Sequence, residues 1–228
     1  MSQPGRMCAK CVMDTTDPNL VFDDGGVCNH CLEAAVVLPR LHISEEASRR
    51  RLQEMAEAIK AAGAGREYAC ILGVSGGVDS SYLAWLARQM GLRTLCVHMD
   101  NGWNAEVAVE NIKHIVTKLG FDLNTYVIDW EEFRDLQRSF FKASVVDIEL
   151  LTDQAINGVI FNVAEEFGIR YALSGENAAT EAGLPLAWVW NKQDLRNLKA
   201  IQKRFGTVPL KSFPTCSLWR RLFHAITR

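Results

Sequence analysis

From Tyr68 onward the chain alternates short apolar runs with segments of helical period, and few folds satisfy that alternation. The runs are Tyr68–Val74 (YACILGV), Arg93–Met99 (RTLCVHM), Leu123–Ile128 (LNTYVI) and Arg170–Leu173 (RYAL). Between them lie three periodic sets: Leu83, Leu86, Ala87 and Met90; Ala108, Ile112, Ile115, Val116 and Leu119; and Ile156, Val159, Ile160, Val163 and Phe167. Each recurs at the three- and four-residue spacing of one buried helix face. A helix between two strands returns the chain in the same direction, so the expected fold class is α/β, a parallel sheet covered by helices on both faces. The 228 residues suffice for one such domain and a small appendage, and a composition 48% hydrophobic and 23% charged supports a core.

The first apolar run leads into Ser75-Gly-Gly-Val-Asp-Ser-Ser81 and then directly into a helix. Gly76 and Gly77 let the backbone turn tightly and approach an anion, Ser75, Ser80 and Ser81 carry hydroxyl donors, and the helix start offers free N–H groups with partial positive charge. Open α/β sheets bind ligands at the carboxyl ends of their strands, where this string falls. The reading is a phosphate cradle over Ser75, Gly76, Gly77, Val78, Asp79, Ser80 and Ser81. No Gly-Lys-Ser/Thr follows, so it is not a Walker A loop, nor is it G-x-G-x-x-G. Asp79 in the first helical turn also reads as a plain capping acid, which the same position accommodates.

Residues 1–40 form a different region, with four of the seven cysteines and no sustained helical period. Cys8-x2-Cys11 and Cys28-x2-Cys31 have the spacing of a four-thiolate zinc site, closed and therefore structural. Zinc would supply folding free energy that so short a segment lacks. A redox pair, an iron–sulfur cluster, and His30 in place of one cysteine are the competing readings. Cys70 and Cys96 lie within apolar runs and read as small buried hydrophobes. Ser44 to Ala62 reads as a connecting helix with Glu45 and Glu46 in its first turn and Gly63 as its stop. The expected organisation is a zinc module over 1–40, a connecting helix over 41–65, the sheet domain over 66–212 and a basic tail over 213–228.

Net charge is −2, which disfavours a chain built to coat nucleic acid. The charge is skewed: residues 192–228 hold nine Lys or Arg against Asp194, and residues 1–191 hold 16 against 26 acids. That basic stretch reads as a solvated or docked helical tail, or as a surface for an anionic ligand or partner. No run approaches the length of a membrane span and the first residues lack a secretory apolar segment, so a cytoplasmic location is expected.

Ser75-Gly-Gly-Val-Asp-Ser80 resembles the signature of the PP-loop, or N-type ATP pyrophosphatase, superfamily, of the adenine nucleotide alpha hydrolase-like fold. Cys11-Val-Met-Asp-Thr-Thr-Asp-Pro18, Gly26-Val-Cys-Asn-His-Cys31, Ser174-Gly-Glu-Asn177 and Ala179-Thr-Glu181 together resemble the N-acetyl sugar amidotransferases of lipopolysaccharide and other surface-polysaccharide biosynthesis. The resemblance covers residues 7 to about 217. It implies cleavage of ATP between its α and β phosphates, adenylation of an acetamido carbonyl on a nucleotide-activated sugar, and displacement of AMP by ammonia to leave an acetamidino group. Ser75 and Asp79 would be catalytic, with Mg2+ on the phosphates and Asp79 its nearest carboxylate. Met99 and Asp100, in the adenine-facing segment Val97–Asn104, and Ser174, Gly175 and Glu176 would complete the ATP site. Polar residues at later loop and helix starts, Asp147, Asp153, Asn177, Thr180, Glu181 and Lys192, are the substrate candidates.

Neither a Gly-x-Cys-x-Gly elbow nor a cysteine at residue 2 is present, so ammonia is expected from a separate glutaminase. The resemblance implies a partner similar to the glutaminase and cyclase subunits of imidazole glycerol phosphate synthase. The alternatives are a tRNA-thiolating PP-loop enzyme, which usually needs thiols in the ATPase domain, and a nucleotide-binding protein without catalysis. The family pattern usually continues past Phe213–Ser217, whereas the chain stops at Arg228, so a shortened version is expected.

Overall fold

In the computed structural model, residues 5–41, 43–176, 185 and 187–215 are described below. The chain divides into two compact units, one of residues 1–51 with 177–190 and one of 52–176 with 191–228.

The larger unit is built on four strands, β1 (Cys70–Gly73), β2 (Thr94–Asp100), β3 (Asp122–Val127) and β4 (Tyr171–Leu173). They pair in the order β3-β2-β1-β4, every pair parallel. The registers Leu72↔Cys96 and Leu72↔Leu173 align the carboxyl ends of the three strands nearest the cradle. Alternation along the strands sends Ile71, Leu95 and Val97 to one face, where Val159 and Val163 of helix α6 (Leu150–Glu166) cover them. Leu72 and Cys96 face the other way, against Ala84 of α3 (Val78–Gln89) and Ile112 of α4 (Glu106–Leu119). Cys70 meets Ala56 and Ile59 of α2 (Glu45–Ala62) on that face. Helices therefore cover both faces, as the alternation requires. Cys70 and Cys96 are fully buried, and burial pushes the Cys96 thiol up to about 12, so both behave as inert core residues.

Two further helices extend this core. Helix α5 (Trp130–Lys142) starts at Asp129, whose carboxylate accepts from the Glu132 N–H, and buries Phe133, Leu136 and Phe140. Helix α7 (Leu195–Phe205) starts likewise at Asp194 and adds Leu198 and Ile201 to the same cluster. The apolar periods of the sequence do not announce α5, because its buried face also carries two acids, Glu132 and Asp135.

The smaller unit holds the isolated bridges Met7↔Asp14 and Phe22↔Cys28 and helix α1 (Asn29–Leu41). That helix departs from the expectation of no helical period before residue 40. Its centre is an unbroken run, Ala34–Leu38, and none of its residues is buried, so no polar face alternates with an apolar one. Among the described residues, no helix is long and apolar enough to cross a membrane.

Candidate active site

Strand β1 ends at Gly73, and the chain turns through Ser75–Gly77 into α3. Gly76 takes φ +77°, and a Cβ there would stand 2.3 Å from the Ala108 carbonyl oxygen. Only glycine meets both conditions, a left-handed turn and contact with the backbone of α4. The hydroxyls knit the loop: Ser75 Oγ lies 3.2 Å from Ser80 Oγ and accepts from the Gly77 N–H at 3.3 Å, and Ser81 Oγ donates to the Gly77 carbonyl at 2.6 Å. Asn111 of α4 holds the Gly76 carbonyl at 3.0 Å. Gly77 is the N-cap of α3 and supplies no side-chain bond to the helix end. The N–H groups of Val78, Asp79 and Ser80 therefore lack an acceptor among the described residues, which leaves a row of aligned donors at the positive end of the helix dipole. Ser75, Gly77, Val78 and Asp79 are exposed.

The neighbouring strands end beside this loop. The strand order reverses at β1, with β2 and β3 on one side and β4 on the other, so the crevice between β1 and β4 is the topological switch point. Gly175 lies there, and a Cβ on it would stand 3.1 Å from the Ser80 nitrogen, so Ser174–Glu176 borders the loop. On the other side β2 ends at Asp100, whose Oδ1 accepts from the Gly102 N–H at 2.9 Å and from Asn104 Nδ2 at 3.0 Å. His98 braces the base of the cradle. Its Nδ1 lies 3.1 Å from the Val74 carbonyl and must donate to it, which leaves Nε2 to accept from Asn104 at 3.3 Å. Met99 packs partly against the core, so what it can offer a ligand is its backbone and the edge of its side chain.

Three substrate candidates come together. Lys192 Nζ stands 2.8 Å from Asp147 Oδ2 and 2.9 Å from Asp153 Oδ2. Partial burial disfavours the ammonium, but the two carboxylates outweigh it and raise the Lys192 pKa. The Lys192 cation is thus already matched by two anions. Ile160 of α6 lies 3.8 Å from the position of a Gly73 Cβ, and α6 runs back toward the amino end of β4. At 1.5 Å per residue, Asp153 is then about 10 Å past Ile160 on the carboxyl side of the sheet, the side of the cradle. Asn177, Thr180 and Glu181 lie outside the described residues.

In the smaller unit the sulfurs of Cys8, Cys11, Cys28 and Cys31 all lie within 4.8 Å of one another. Cys11 and Cys28 Sγ are 3.7 Å apart, and four thiolates about 2.3 Å from a tetrahedral zinc would be about 3.8 Å apart. Burial alone would raise the Cys8 thiol, yet the N–H groups of Lys10, Cys28 and Cys11 bring it down to about 6. Cys31, crowded by Cys11 and desolvated, is pushed up to about 12. His30 turns away from the cluster to Asp17, 2.8 Å distant, and that contact with the imidazole lowers the Asp17 pKa. The cluster is therefore made of cysteines alone.

Residues 48–153 match the family model described as NAD synthase. The match supports the PP-loop ATP pyrophosphatase superfamily. Comparison with curated proteins finds no match. Among solved structures, NMN synthetase from Francisella tularensis is similar at a TM-score of 0.45 and 17% identity, covering 60% of this chain. This chain spans only 56% of that protein's length. NH3-dependent NAD synthetase from Campylobacter jejuni gives 0.46 and 14%, covering 68% of this chain and 72% of the other. Glutamine-dependent NAD+ synthetase from Acinetobacter baumannii gives 0.47 and 21%, covering 57% and 24%.

The loop after β1 thus stands at the switch point with N–H donors at the start of α3 that lack an acceptor among the described residues, an arrangement that suits an anion. Asp79, exposed in the first turn of α3, is the loop's own carboxylate and could approach a phosphate-bound Mg2+. The sequence alone did not single out Asn111, and it gave no sign that His98, backed by Asn104, and Ala108 brace the loop from outside it. Their signal is tertiary: nothing in a lone Asn or Ala indicates that the carbonyl or the open side of a glycine three residues past the end of β1 will seek it.

Proposed function

We propose that this protein is an ATP-dependent amidotransferase that converts the acetamido group of a nucleotide-activated N-acetyl sugar to an acetamidino group, releasing AMP and pyrophosphate. The observation that carries the ATP half is the uncapped α3 terminus beyond Gly76 and Gly77. The sugar half rests on the resemblance of the cysteine strings and of Ser174–Asn177 and Ala179–Glu181, and the NAD synthase match supports amidation in kind.

An amide carbonyl resists ammonia because its oxygen leaves poorly. In the proposed reaction that oxygen attacks the α-phosphorus, the α–β bridging bond breaks and pyrophosphate departs. Ammonia then adds to the carbon, and AMP leaves with the former carbonyl oxygen while a proton is lost from nitrogen. The N–H groups of Val78, Asp79 and Ser80 hold the departing pyrophosphate and stabilise its growing charge. Ser75 and Ser81, now bonded within the loop, can turn their hydroxyls to phosphate oxygens. Bound Mg2+ would neutralise the same charge, with Asp79 as its protein carboxylate. Met99 and Asp100 would border the nucleoside of ATP, and Ser174, Gly175 and Glu176 would close the opposite wall. Asp147, Asp153, Asn177, Thr180, Glu181 and Lys192 are assigned to the sugar side. Zinc at Cys8, Cys11, Cys28 and Cys31 would be structural. Ammonia comes from a separate glutaminase with its cyclase-like subunit, and the reaction belongs to the cytoplasm.

The test uses a UDP-acetamido sugar labelled with 18O in the acetamido carbonyl, incubated with the protein, ATP, Mg2+ and ammonium. Mass spectrometry should find the label in AMP and an amidine in the sugar. AMP without label, alongside an unchanged sugar, would refute adenylation of the acceptor.

A further inference from the structure

Beside the PP-loop, an indole is held rigid with its face open. Trp103, in the turn after β2, is 66% exposed. Its Nε1 donates to Gln137 Oε1 at 3.3 Å, and its ring meets Trp130 edge-on, with centroids 5.7 Å apart. The turn is fixed from below: Asp100 Oδ1 accepts from the Gly102 N–H, and Asn101 Oδ1 accepts from the Trp103 N–H at 3.1 Å. Gly102, at φ +80°, brings the backbone against Trp130, where a Cβ would sit 3.2 Å from the ring. Fixing the largest apolar side chain by polar bonds and one ring edge gains little from burial. It does prepare a flat surface at low entropic cost to a ligand.

The helix next to it presents two arginines. Trp130, Arg134, Gln137 and Arg138 recur along one side of α5 at three- and four-residue spacing. Arg134 and Arg138 are exposed and make no hydrogen bond or ion pair among the described residues. Of the acids on α5, Glu132 and Asp135 are buried, and Glu131 is exposed on the arginine side, three residues before Arg134, without forming an ion pair with either arginine among the described residues. A planar ring on Trp103 with an anion on Arg134 or Arg138 describes a nucleotide.

It does not describe ATP held in the PP-loop. Trp103 follows β2 and α5 follows β3, whereas the loop follows β1, so the arginines lie on the far side of Trp103 from the cradle. A nucleotide with its base on Trp103 and its phosphates toward α5 points its phosphates away from the loop. We infer that Trp103, with Arg134 and Arg138, forms a second nucleotide subsite that takes the nucleoside diphosphate of the activated acceptor. This rests on the function proposed above and names the part of the acceptor that the protein would recognise.

The test titrates the full chain by calorimetry with UDP, dTDP and GDP, with AMP, and with pyrophosphate, for the wild type, Trp103→Ala, Trp103→Phe and Arg134→Ala/Arg138→Ala. Stacking contributes about 1–3 kcal/mol per base, so Trp103→Ala should weaken a bound nucleoside diphosphate about tenfold. Trp103→Phe should fall between, and the arginine pair should weaken the diphosphate while sparing pyrophosphate. If no nucleoside diphosphate binds the wild type, or the variants bind it as well as the wild type, the subsite is refuted. If AMP weakens instead of the nucleoside diphosphates, the ring belongs to the adenine of ATP and the assignment to the acceptor is refuted. Failure of the wild type to bind pyrophosphate would refute the PP-loop reading separately.

Discussion

At the residue scale the structure concentrates its demands on a few positions. Gly76 is the sharpest, since it needs both a positive φ and open space beside the Ala108 carbonyl. Gly76→Ala is expected to cost about 2 kcal/mol or more in stability, and to weaken ATP at least about tenfold because the loop must shift away from α4. A calorimetric titration with ATP checks this, and unchanged affinity would mean that the loop does not hold phosphate. Gln154 presents the opposite case. It is buried in α6 with neither amide atom hydrogen-bonded among the described residues, a state that destabilises the fold. Gln154→Met should therefore stabilise the protein by about 1 kcal/mol in urea unfolding. A clear loss would show that the amide has a partner. The glycines of the loop are legible from sequence because a turn at the end of an apolar run needs them. The unpaired state of Gln154 is not legible, because it depends on what packs around α6.

At the element scale, the segment after α7 is fastened to α5 by two buried carboxylates. Asp135 accepts from the Thr207 and Val208 N–H groups, the Thr207 hydroxyl and Gln202 Nε2, and Glu132 accepts from the N–H groups of Lys211, Ser212 and Phe213. Burial alone would raise Asp135, but these donors hold its carboxyl far below the usual range. Its folded pKa lies under its unfolded value of about 3.9, so this stabilisation is full above about pH 5 and lost as pH falls through 4 and below. Asp135→Asn should cost about 2–4 kcal/mol at pH 7 and flatten that acid dependence, read from urea unfolding at pH 7, 5 and 3. An equal acid loss in wild type and variant would assign the effect to other groups. These two acids also hid α5 from its apolar period, whereas α3, α4 and α6, with plainer apolar spacing, were legible. In the smaller unit the four-cysteine spacing was legible and α1 was not. Metal analysis of reduced protein should find about one zinc per chain, falling well below that in Cys28→Ser. Wild-type protein without zinc would remove the metal from the account.

At the scale of the whole molecule, the alternation of apolar runs and helical periods foretold a parallel sheet, and the local glycine and serine pattern foretold a tight turn leading from its first strand into a helix. The strand order, with β4 returning to the far side of β1, was not legible from periodicity, because each run is apolar whichever neighbour it takes. That order is what brings Gly175 to the loop and places the topological switch point between β1 and β4. Likewise, Asp147, Asp153 and Lys192 were legible only as separate substrate candidates, and only the fold joins them into one ion-paired cluster. The claim on which the rest depends is that the loop after β1 grips the pyrophosphate end of ATP while the bond between the α and β phosphates breaks. 31P NMR of ATP consumed by the protein with Mg2+, ammonium and a UDP-acetamido sugar tests it most directly. The expected spectrum shows AMP and pyrophosphate rising together, and the appearance of ADP and inorganic phosphate in their place would contradict the account.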